Sequence, residues 1–498
     1  MVRVRYAPSP TGLQHIGGVR TALFNYLFAR SQNGAFILRL EDTDRSRFDE
    51  SYVRNLYDTF AWLGLRWDEG PGEGGPHEPY VQSERTELYK KYAAELLEKG
   101  RAYRCFCSAE RLEKLRAERE AARSGETGYD RHCRNINAEE SARRADGEQY
   151  TIRLKIPLAE DRENAGRSEG DLNVKENPTT CFTDRLLGDI EWKNGDINPD
   201  PVLLKSDGFP TYHLANIVDD HLMGITHVLR AQEWLSSTPL HVILYRAFGW
   251  APPEFCHLPM VMGQDGKKLS KRHGATSIDE FRRQGYLAEA LINYIALLGC
   301  SYEEGTDIYT LEELEKLFSP EKLNKAPAVF DYKKLEWYNG RYIRMKDDEE
   351  LARLALPFAV DRGLFGKTGA GTEPGAGTEP DPAQSALFTA AMGLVRERAV
   401  FLHEIPARLG YLFSEPELPA PEEFIPKKSD RAAALRLLRM GRELVPAMAR
   451  SSDEEAEALV KAKAEAEGVK LGDLLMPLRV AVTGSRVSPP LFGSVRLL

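Results

Sequence analysis

The sequence has no run of about 18 consecutive apolar residues, so a membrane-spanning helix is not expected. Cysteine is scarce, with 6 in 498 residues, too few for a disulfide framework. Net positive charge is also absent. Asp and Glu number 76 against 67 Lys and Arg, a formal charge of −9. That excludes a protein whose whole surface is basic, but not a nucleic-acid enzyme with a local basic patch. Met1 to Gly12 carries two Arg and two Pro and no apolar stretch, so a secretory leader is not expected. What is there is an ordinary globular composition, 42% hydrophobic and 29% charged. The length suits three or four domains, or two large ones, at roughly 100–200 residues each.

Val2 to Ala7 alternates Val and Arg as a short strand, which Pro8, Pro10 and Gly12 then break. Ile16 to Arg30 predicts a helix with Val19, Ala22, Leu23, Tyr26 and Leu27 on one face. Ala35 to Leu40 is a second apolar run, ending in Glu41-Asp42-Thr43-Asp44-Arg45. Strand, turn, helix, strand is a βαβ unit and implies a parallel sheet. The pattern resumes with a strand at Val202–Lys205, a helix at Tyr212–Asp220, a strand at Val228–Arg230, a helix at Glu233–Phe248 and a strand at His257–Met262. An α/β, doubly wound nucleotide fold over 1–90 and 199–265, split by a charged insertion at 91–198, explains this order. From about Tyr309 helical periods take over, at Leu311–Phe318, Ala434–Leu444 and Glu454–Glu467. Residues 266–335 are expected to link to an all-helical 336–498. A tandem Gly-Ala-Gly-Thr-Glu-Pro at 369–380 predicts a disordered loop near 366–382.

Two segments carry chemistry. In Pro8-Ser-Pro-Thr-Gly-Leu-Gln-His15-Ile-Gly17-Gly18, His15 stands just ahead of a helix whose first N–H groups are unpaired and attract phosphate. Gly17 and Gly18 let a base or a phosphate approach the backbone. Read alone, the segment is equally a helix entry with a capping His. In Gly263-Gln-Asp-Gly266-Lys267-Lys268-Leu-Ser270-Lys271-Arg272-His-Gly274, glycines bound a mobile loop with four cations in six positions, suited to a triphosphate. Read alone, that run is a solvated basic loop.

Together the segments resemble the signatures of class I aminoacyl-tRNA synthetases, His-Ile-Gly-His and Lys-Met-Ser-Lys-Ser. Here they stand as His15-Ile-Gly-Gly18 and Lys268-Leu-Ser-Lys-Arg272. Longer strings narrow the likeness: Ala-Pro-Ser-Pro-Thr-Gly at 7–12, Arg-Leu-Glu-Asp-Thr-Asp-Arg at 39–45, Lys-Ser-Asp-Gly-Phe-Pro-Thr-Tyr-His-Leu-Ala-Asn at 205–216, Leu-Arg-Ala-Gln-Glu-Trp at 229–234 and Pro-Leu-Arg-Val-Ala-Val-Thr-Gly at 477–484. These resemble bacterial glutamyl-tRNA synthetases over nearly the whole chain. Gly18 departs from the class signature, as it does within that family.

The resemblance implies a Rossmann-type catalytic domain, an inserted domain for the acceptor end and a helical anticodon-binding region. It implies glutamate activation by ATP with Mg2+, then transfer to tRNA(Glu). His15, Gly17, Gly18, Glu233, Lys268, Ser270, Lys271 and Arg272 would meet ATP, with His15, Lys268 and Lys271 supplying the catalytic contacts. Arg5, Ser9, Glu41, Tyr212, Asn216 and Arg230 would hold glutamate, the arginines as carboxylate forks and Glu41 as partner of the ammonium group. A cytoplasmic monomer with no membrane contact is expected.

Cys105, Cys107 and Cys133 suggest a structural Zn2+ within the charged insertion, where a hydrophobic core is hard to build. Three sulfurs do not close a tetrahedron. Asn135 stands where some relatives place a His. The Tyr-x-x-x-Cys spacing of Tyr129 and Cys133 resembles a site in glutamyl-queuosine tRNA(Asp) synthetases, and makes Tyr129 the favoured fourth ligand. His132 or water is the alternative, and three reduced buried thiols the metal-free one. In relatives that accept only tRNA(Glu), an Arg just before a Tyr-Leu-Phe reads the third anticodon base. Here Gly410 precedes Tyr411-Leu412-Phe413, and Arg408 lies two residues earlier. Relaxed charging of tRNA(Gln) follows if position 410 decides; otherwise Gly410 ends a helix and Arg408 or another side chain reads the base.

Overall fold

The computed structural model describes residues 1–44, 46–122, 128–158, 178–366, 379–417 and 419–498, with Lys271 described by its backbone alone. The chain divides into two compact units, Met1–Asp279 with Ile292–Asp331, and Glu280–Leu291 with Tyr332–Leu498. In the first, β1 (Arg3–Tyr6) and β2 (Ala35–Leu38) pair in parallel, from Arg3 opposite Ala35 to Tyr6 opposite Leu38. The helix Ile16–Ser31 connects them and is buried without a break from Ala22 to Ala29. The single apolar face read from the sequence is therefore too narrow. Asn25 on this helix donates to Leu229 O at 3.0 Å, and Phe24 stacks on Phe318 at 5.4 Å. The helix is covered from two sides, and a helix covered from two sides is apolar nearly all round.

Further strands are β3 (Ala102–Cys105), β4 (Thr151–Leu154), β5 (Thr179–Asp184), β6 (Gly188–Lys193), β7 (Val202–Leu204), β8 (His227–Ala231), β9 (Glu254–Leu258), β10 (Val261–Met262) and β11 (Ala328–Val329). One sheet has the order β6-β5-β9-β8, with β8 and β9 parallel from His227 opposite Glu254 to Ala231 opposite Leu258. β1 lies beside β8, where Thr226 N–H donates to Arg3 O at 2.9 Å. The β5–β6 hairpin falls in the stretch expected as a separate insertion, yet it extends this sheet through the pairing of Asp184 with Phe255. β7 pairs instead with β4, in an antiparallel sheet of order β3-β4-β7.

Two elements differ from their sequence patterns, and proline explains both. Gln232–Ser237 is a 3-10 turn, and the α-helix begins at Thr238 with Pro239 in its first turn, where its fixed φ fits. The strand expected over His257–Met262 is divided at Pro259, which has no N–H to give a ladder.

The described residues of the second unit are helical. Asp381 with Gln384 and Ser452 with Glu455 form reciprocal caps at two of the helix starts. Leu437, Met440, Met448, Val460, Leu474 and Leu478 form a core among the last helices. The loop expected near 366–382 falls mostly on 367–378, outside the described residues.

Candidate active site

His15 is the N-cap of the helix Ile16–Ser31. Its Nδ1 accepts from Gly17 N–H at 3.1 Å and Gly18 N–H at 3.3 Å. With Nδ1 used as an acceptor, the proton of a neutral ring sits on Nε2, which faces away as a donor. Desolvation, and after it the Lys268 ammonium, lower the pKa of His15 below the ordinary imidazole value, with Glu233 opposing. Capping and anion donation are thus served by different nitrogens of one ring. The two glycines divide their work as well. A Cβ at Gly18 would stand 2.9 Å from Tyr6 Oη, so this glycine lets β1 approach the helix.

The second segment begins as a hairpin over 261–269. Gly263 N–H donates to Lys267 O at 2.8 Å, Leu269 N–H to Val261 O at 3.0 Å, and Gly266 takes φ +72° at the turn. His273 fastens it: Nε2 lies 3.0 Å from Asp265 Oδ1, and Nδ1 accepts from Ser270 N–H at 3.0 Å. A Cβ at Gly263 would meet the His273 ring at 2.8 Å, so close packing demands glycine there. Lys268 is paired with Glu233, Ser270 is half-buried and Arg272 is exposed. The chain then returns to the first segment, with Ile16 N–H donating to Thr276 O and Ile278 N–H to Gln14 O, both at 3.0 Å. Two motifs some 250 residues apart in sequence thereby share one short antiparallel contact.

A pocket of buried charge adjoins them. Arg5 Nε donates to Asp220 Oδ1 at 3.1 Å and its Nη2 to Asn216 Oδ1 at 3.3 Å. Arg39, fully buried, donates to Asp220 Oδ1 at 2.7 Å, Asn216 Oδ1 at 2.8 Å and Glu41 Oε1 at 2.9 Å. Burial pushes the Glu41 carboxyl up, against Arg39. Burial also opposes ionisation of Asp220, yet Arg5 and Arg39 hold it below the usual carboxylate range. Tyr212 and Asn216 lie four residues apart on one helix and so share a face. Tyr212 Oη lies 3.4 Å from Arg230 Nη1. Arg230 is the penultimate residue of β8, with Nε 3.1 Å from His257 Nε2 and Nη1 3.1 Å from His241 Nδ1. Ser9 lies exposed. Sequence reasoning missed Arg39, Asp220, His241 and His257. Arg39 opens the string at 39–45, and Asp219-Asp220 stands on an otherwise apolar buried helix face; those were the available signals.

The sulfurs of Cys105, Cys107 and Cys133 lie within 4.8 Å of one another, with Cys107 and Cys133 3.6 Å apart. Tyr129 Oη is 3.3 Å from Cys105 Sγ and 3.4 Å from Cys107 Sγ, and accepts from Cys133 N–H at 2.9 Å. A tetrahedral ion at about 2.3 Å from sulfur needs S–S edges of about 3.8 Å, so the donor set fits zinc. Hydrogen bonding from Cys133 draws Cys105 towards thiolate. The Arg153 guanidinium stands 3.9 Å over the Tyr129 ring, and Arg111 Nη1 3.4 Å from Cys107 Sγ. His132 is exposed, outside this group.

In the second unit the helix Glu404–Leu409 ends at Gly410, which keeps right-handed helical angles, φ −51° and ψ −36°. A Cβ there would meet nothing within 4 Å. Arg408 reaches Glu404 at 3.6 Å. Tyr411 is buried, its hydroxyl 2.6 Å from Ser494 Oγ.

Residues 1–337 match the family model for class I tRNA synthetase catalytic domains (E and Q), and residues 350–498 match an anticodon-binding domain. The chain belongs to the class I tRNA synthetases for glutamate and glutamine. It is 57% identical to a glutamate–tRNA ligase of Treponema denticola, over all of this chain and 96% of that one. It is 48% identical to a glutamate–tRNA ligase of Borreliella burgdorferi, over all of this chain and 95% of that one. The crystal structure of a glutamate tRNA ligase from Elizabethkingia meningosepticum, in complex with its amino acid, matches with a TM-score of 0.80 at 33% identity, covering 100% of this chain and 96% of that one. Identity at this level over full length places the chain among the glutamate–tRNA ligases. Among the described residues no helix is long and apolar enough to cross a membrane.

Proposed function

We propose that the chain joins L-glutamate to tRNA(Glu) in two steps through a glutamyl-adenylate. An oxygen of the α-carboxylate attacks the α-phosphorus of ATP, the bond to the bridging oxygen breaks, and pyrophosphate leaves. The terminal 2′-hydroxyl of tRNA then attacks the acyl carbon, losing its proton as AMP departs. No covalent nucleophile from the protein is required; its task is positioning and charge stabilisation.

The observation that supports this reading is the contact of 14–16 with 276–278, with Lys268 and Glu233 close enough to act on His15 electrostatically. His15, Lys268 and Lys271 would meet the triphosphate with its Mg2+. Glu233 would hold Lys268 until the nucleotide arrives. Arg230, Arg5, Tyr212 and Asn216 would receive the carboxylates, and Glu41 the ammonium group. Cys105, Cys107, Cys133 and Tyr129 would hold a zinc ion whose role is structural.

A glutamylation assay with purified tRNA(Glu), omitting each component in turn, tests the reaction. Lys271→Ala should lower activation a hundredfold or more, about 2.7–4 kcal/mol, in a folded protein. Unchanged kinetics would return the hairpin to a solvated basic segment.

A further inference from the structure

Arg230 differs from the other pocket arginines in what holds it. Arg5 and Arg39 each bond the Asp220 carboxylate directly. The partners of Arg230 are uncharged: His257 Nε2, His241 Nδ1, Tyr212 Oη, Trp234 O and Thr238 Oγ1, the last at 2.7 Å. Arg230 is 5% exposed, and Thr238, His241 and His257 are wholly buried. Burial lowers the pKa of Arg230 and Asp220 acts on it only at a distance, so its charge has no bonded counterion, and an entering anion would displace the longest of these contacts, Tyr212 Oη at 3.4 Å.

The neutral grip has its own foundation. Asp184 Oδ2 lies 2.6 Å from His257 Nδ1 and also accepts His257 N–H at 3.0 Å. Its Oδ1 accepts from Leu186 N–H at 3.0 Å and Leu187 N–H at 2.9 Å. Against its burial, the His257 hydrogen bond and three backbone N–H donors hold the Asp184 carboxyl below the usual range, so it is an acceptor. The proton of His257 must therefore sit on Nδ1, which turns the Nε2 lone pair towards Arg230. On the other side, Arg230 Nη1 obliges His241 Nδ1 to accept. His241 Nε2 then donates to His213 Nδ1, 3.1 Å away. Burial, and after it Arg230, lower all three histidines in pKa, with Asp184 opposing at His257 alone.

We propose that Asp184, His257, Thr238 and His241 are positioning residues that present Arg230, bonded to no carboxylate among the described residues, to the side-chain carboxylate of the substrate. The inference rests on the proposed role of Arg230 in receiving a carboxylate, and takes that carboxylate to be the one on the substrate side chain. It identifies the source of selectivity. A bound glutamine offers an amide, and the buried charge then lacks a bonded counterion, because among the described residues no carboxylate pairs with it directly and Asp220 acts on it only at a distance. Were Asp184 to bond Arg230 directly, the discrimination would be lost.

The test is steady-state glutamylation by the full chain at saturating ATP and tRNA(Glu), with glutamine activation and the melting temperature measured alongside. His257→Met keeps length and removes the acceptor; His257→Gln keeps length and restores an acceptor near Nε2. His257→Met should raise the KM for glutamate about tenfold or more, the loss of one hydrogen bond to a charged group. The KM for ATP should stay within about twofold, and His257→Gln should recover most of the loss. His241→Leu and His241→Asn form the same pair at Nδ1. If His257→Met does not fold, the isosteric Thr238→Val should raise the glutamate KM alone. Equal effects of His257→Met and His257→Gln, or a glutamate KM that no variant moves while Arg230→Lys does, would overturn the inference. A glutamate KM unmoved by Arg230→Lys would instead overturn the assignment of Arg230 itself.

Discussion

At the scale of single residues, one side chain often does two jobs, and the two can be separated by substitution. His15 caps a helix through Nδ1, and its proposed anion contact would use Nε2. His15→Ala should cost about 1 kcal/mol of stability through the lost cap and roughly a hundredfold or more in activation rate. His15→Asn should restore the melting temperature, since Asn is a good cap, but not the rate, since its amide is too short to reach the phosphate. If His15→Asn also restored the rate, His15 would be a cap and nothing more. Residues of this kind were legible because their neighbours form strings: His15, Lys268, Glu41, Asn216 and Arg230 all sit in stretches with recognisable order. His257 and His241 sit in ordinary apolar runs. Nothing in the local sequence distinguishes a buried His that orients an arginine from one that fills space. That distinction needs the three-dimensional placement of Asp184, 73 residues away.

At the scale of elements, strand β9 and the helices Tyr212–Leu222 and Thr238–Phe248 bury neutral imidazole, and this has a consequence for acid stability. His213 is pushed down to about 4, and His241 and His257 also lie below the ordinary 6.5. Between those values the unfolded chain binds protons that the native state refuses, so unfolding is favoured as pH falls. Stability should therefore be fully present above about pH 6.5 and fall progressively towards pH 4. Thermal melts across that range check it, and His213→Asn should flatten the slope; a melting temperature constant over that range would contradict it. The Cys module gives a second prediction at this scale. Purified protein never exposed to chelator should carry about one zinc per chain. Tyr129→Phe should weaken retention more than His132→Ala, because Tyr129 Oη stands 3.3 Å from Cys105 Sγ while His132 lies exposed. The reverse order, measured by elemental analysis, would reassign the fourth ligand. Of the elements themselves, β1, the first helix and β2 were readable from period and turn residues. The β5–β6 hairpin was not, because its burial alternates weakly and its partner β9 lies some 70 residues on. Likewise the hairpin at 261–269 is set by His273 and Asp265, a pairing that a run of cations conceals.

At the scale of the whole molecule, catalytic chemistry and tRNA choice belong to different parts of the chain, so they should be separable by mutation. Position 410 lies in the second unit, and His15, Arg230 and the Lys268 hairpin in the first. If position 410 is where the third anticodon base is read, glycine, with no side-chain donor, cannot favour the C that ends the glutamate anticodon over the G that ends one glutamine anticodon. The chain as it stands should charge tRNA(Glu) and also misacylate tRNA(Gln). Gly410 is in helical conformation with open space where a Cβ would stand, so Gly410→Arg should fold normally and gain a few tenths of a kcal/mol or more from helix propensity. It should lower charging of tRNA(Gln) about tenfold or more, the worth of one specific contact to a base edge, while tRNA(Glu) charging and glutamate activation hold. Arg408 lies 3.6 Å from Glu404 in a partly exposed pair, which a tRNA base could displace at little cost. Both tRNAs should be compared at matched salt, because phosphate contacts make affinity salt-dependent. A starting preference for tRNA(Glu) above about a thousandfold, some 4 kcal/mol, would sink relaxed charging. Gly410→Arg would then change little, and the reader of the third base would have to be sought elsewhere in the second unit.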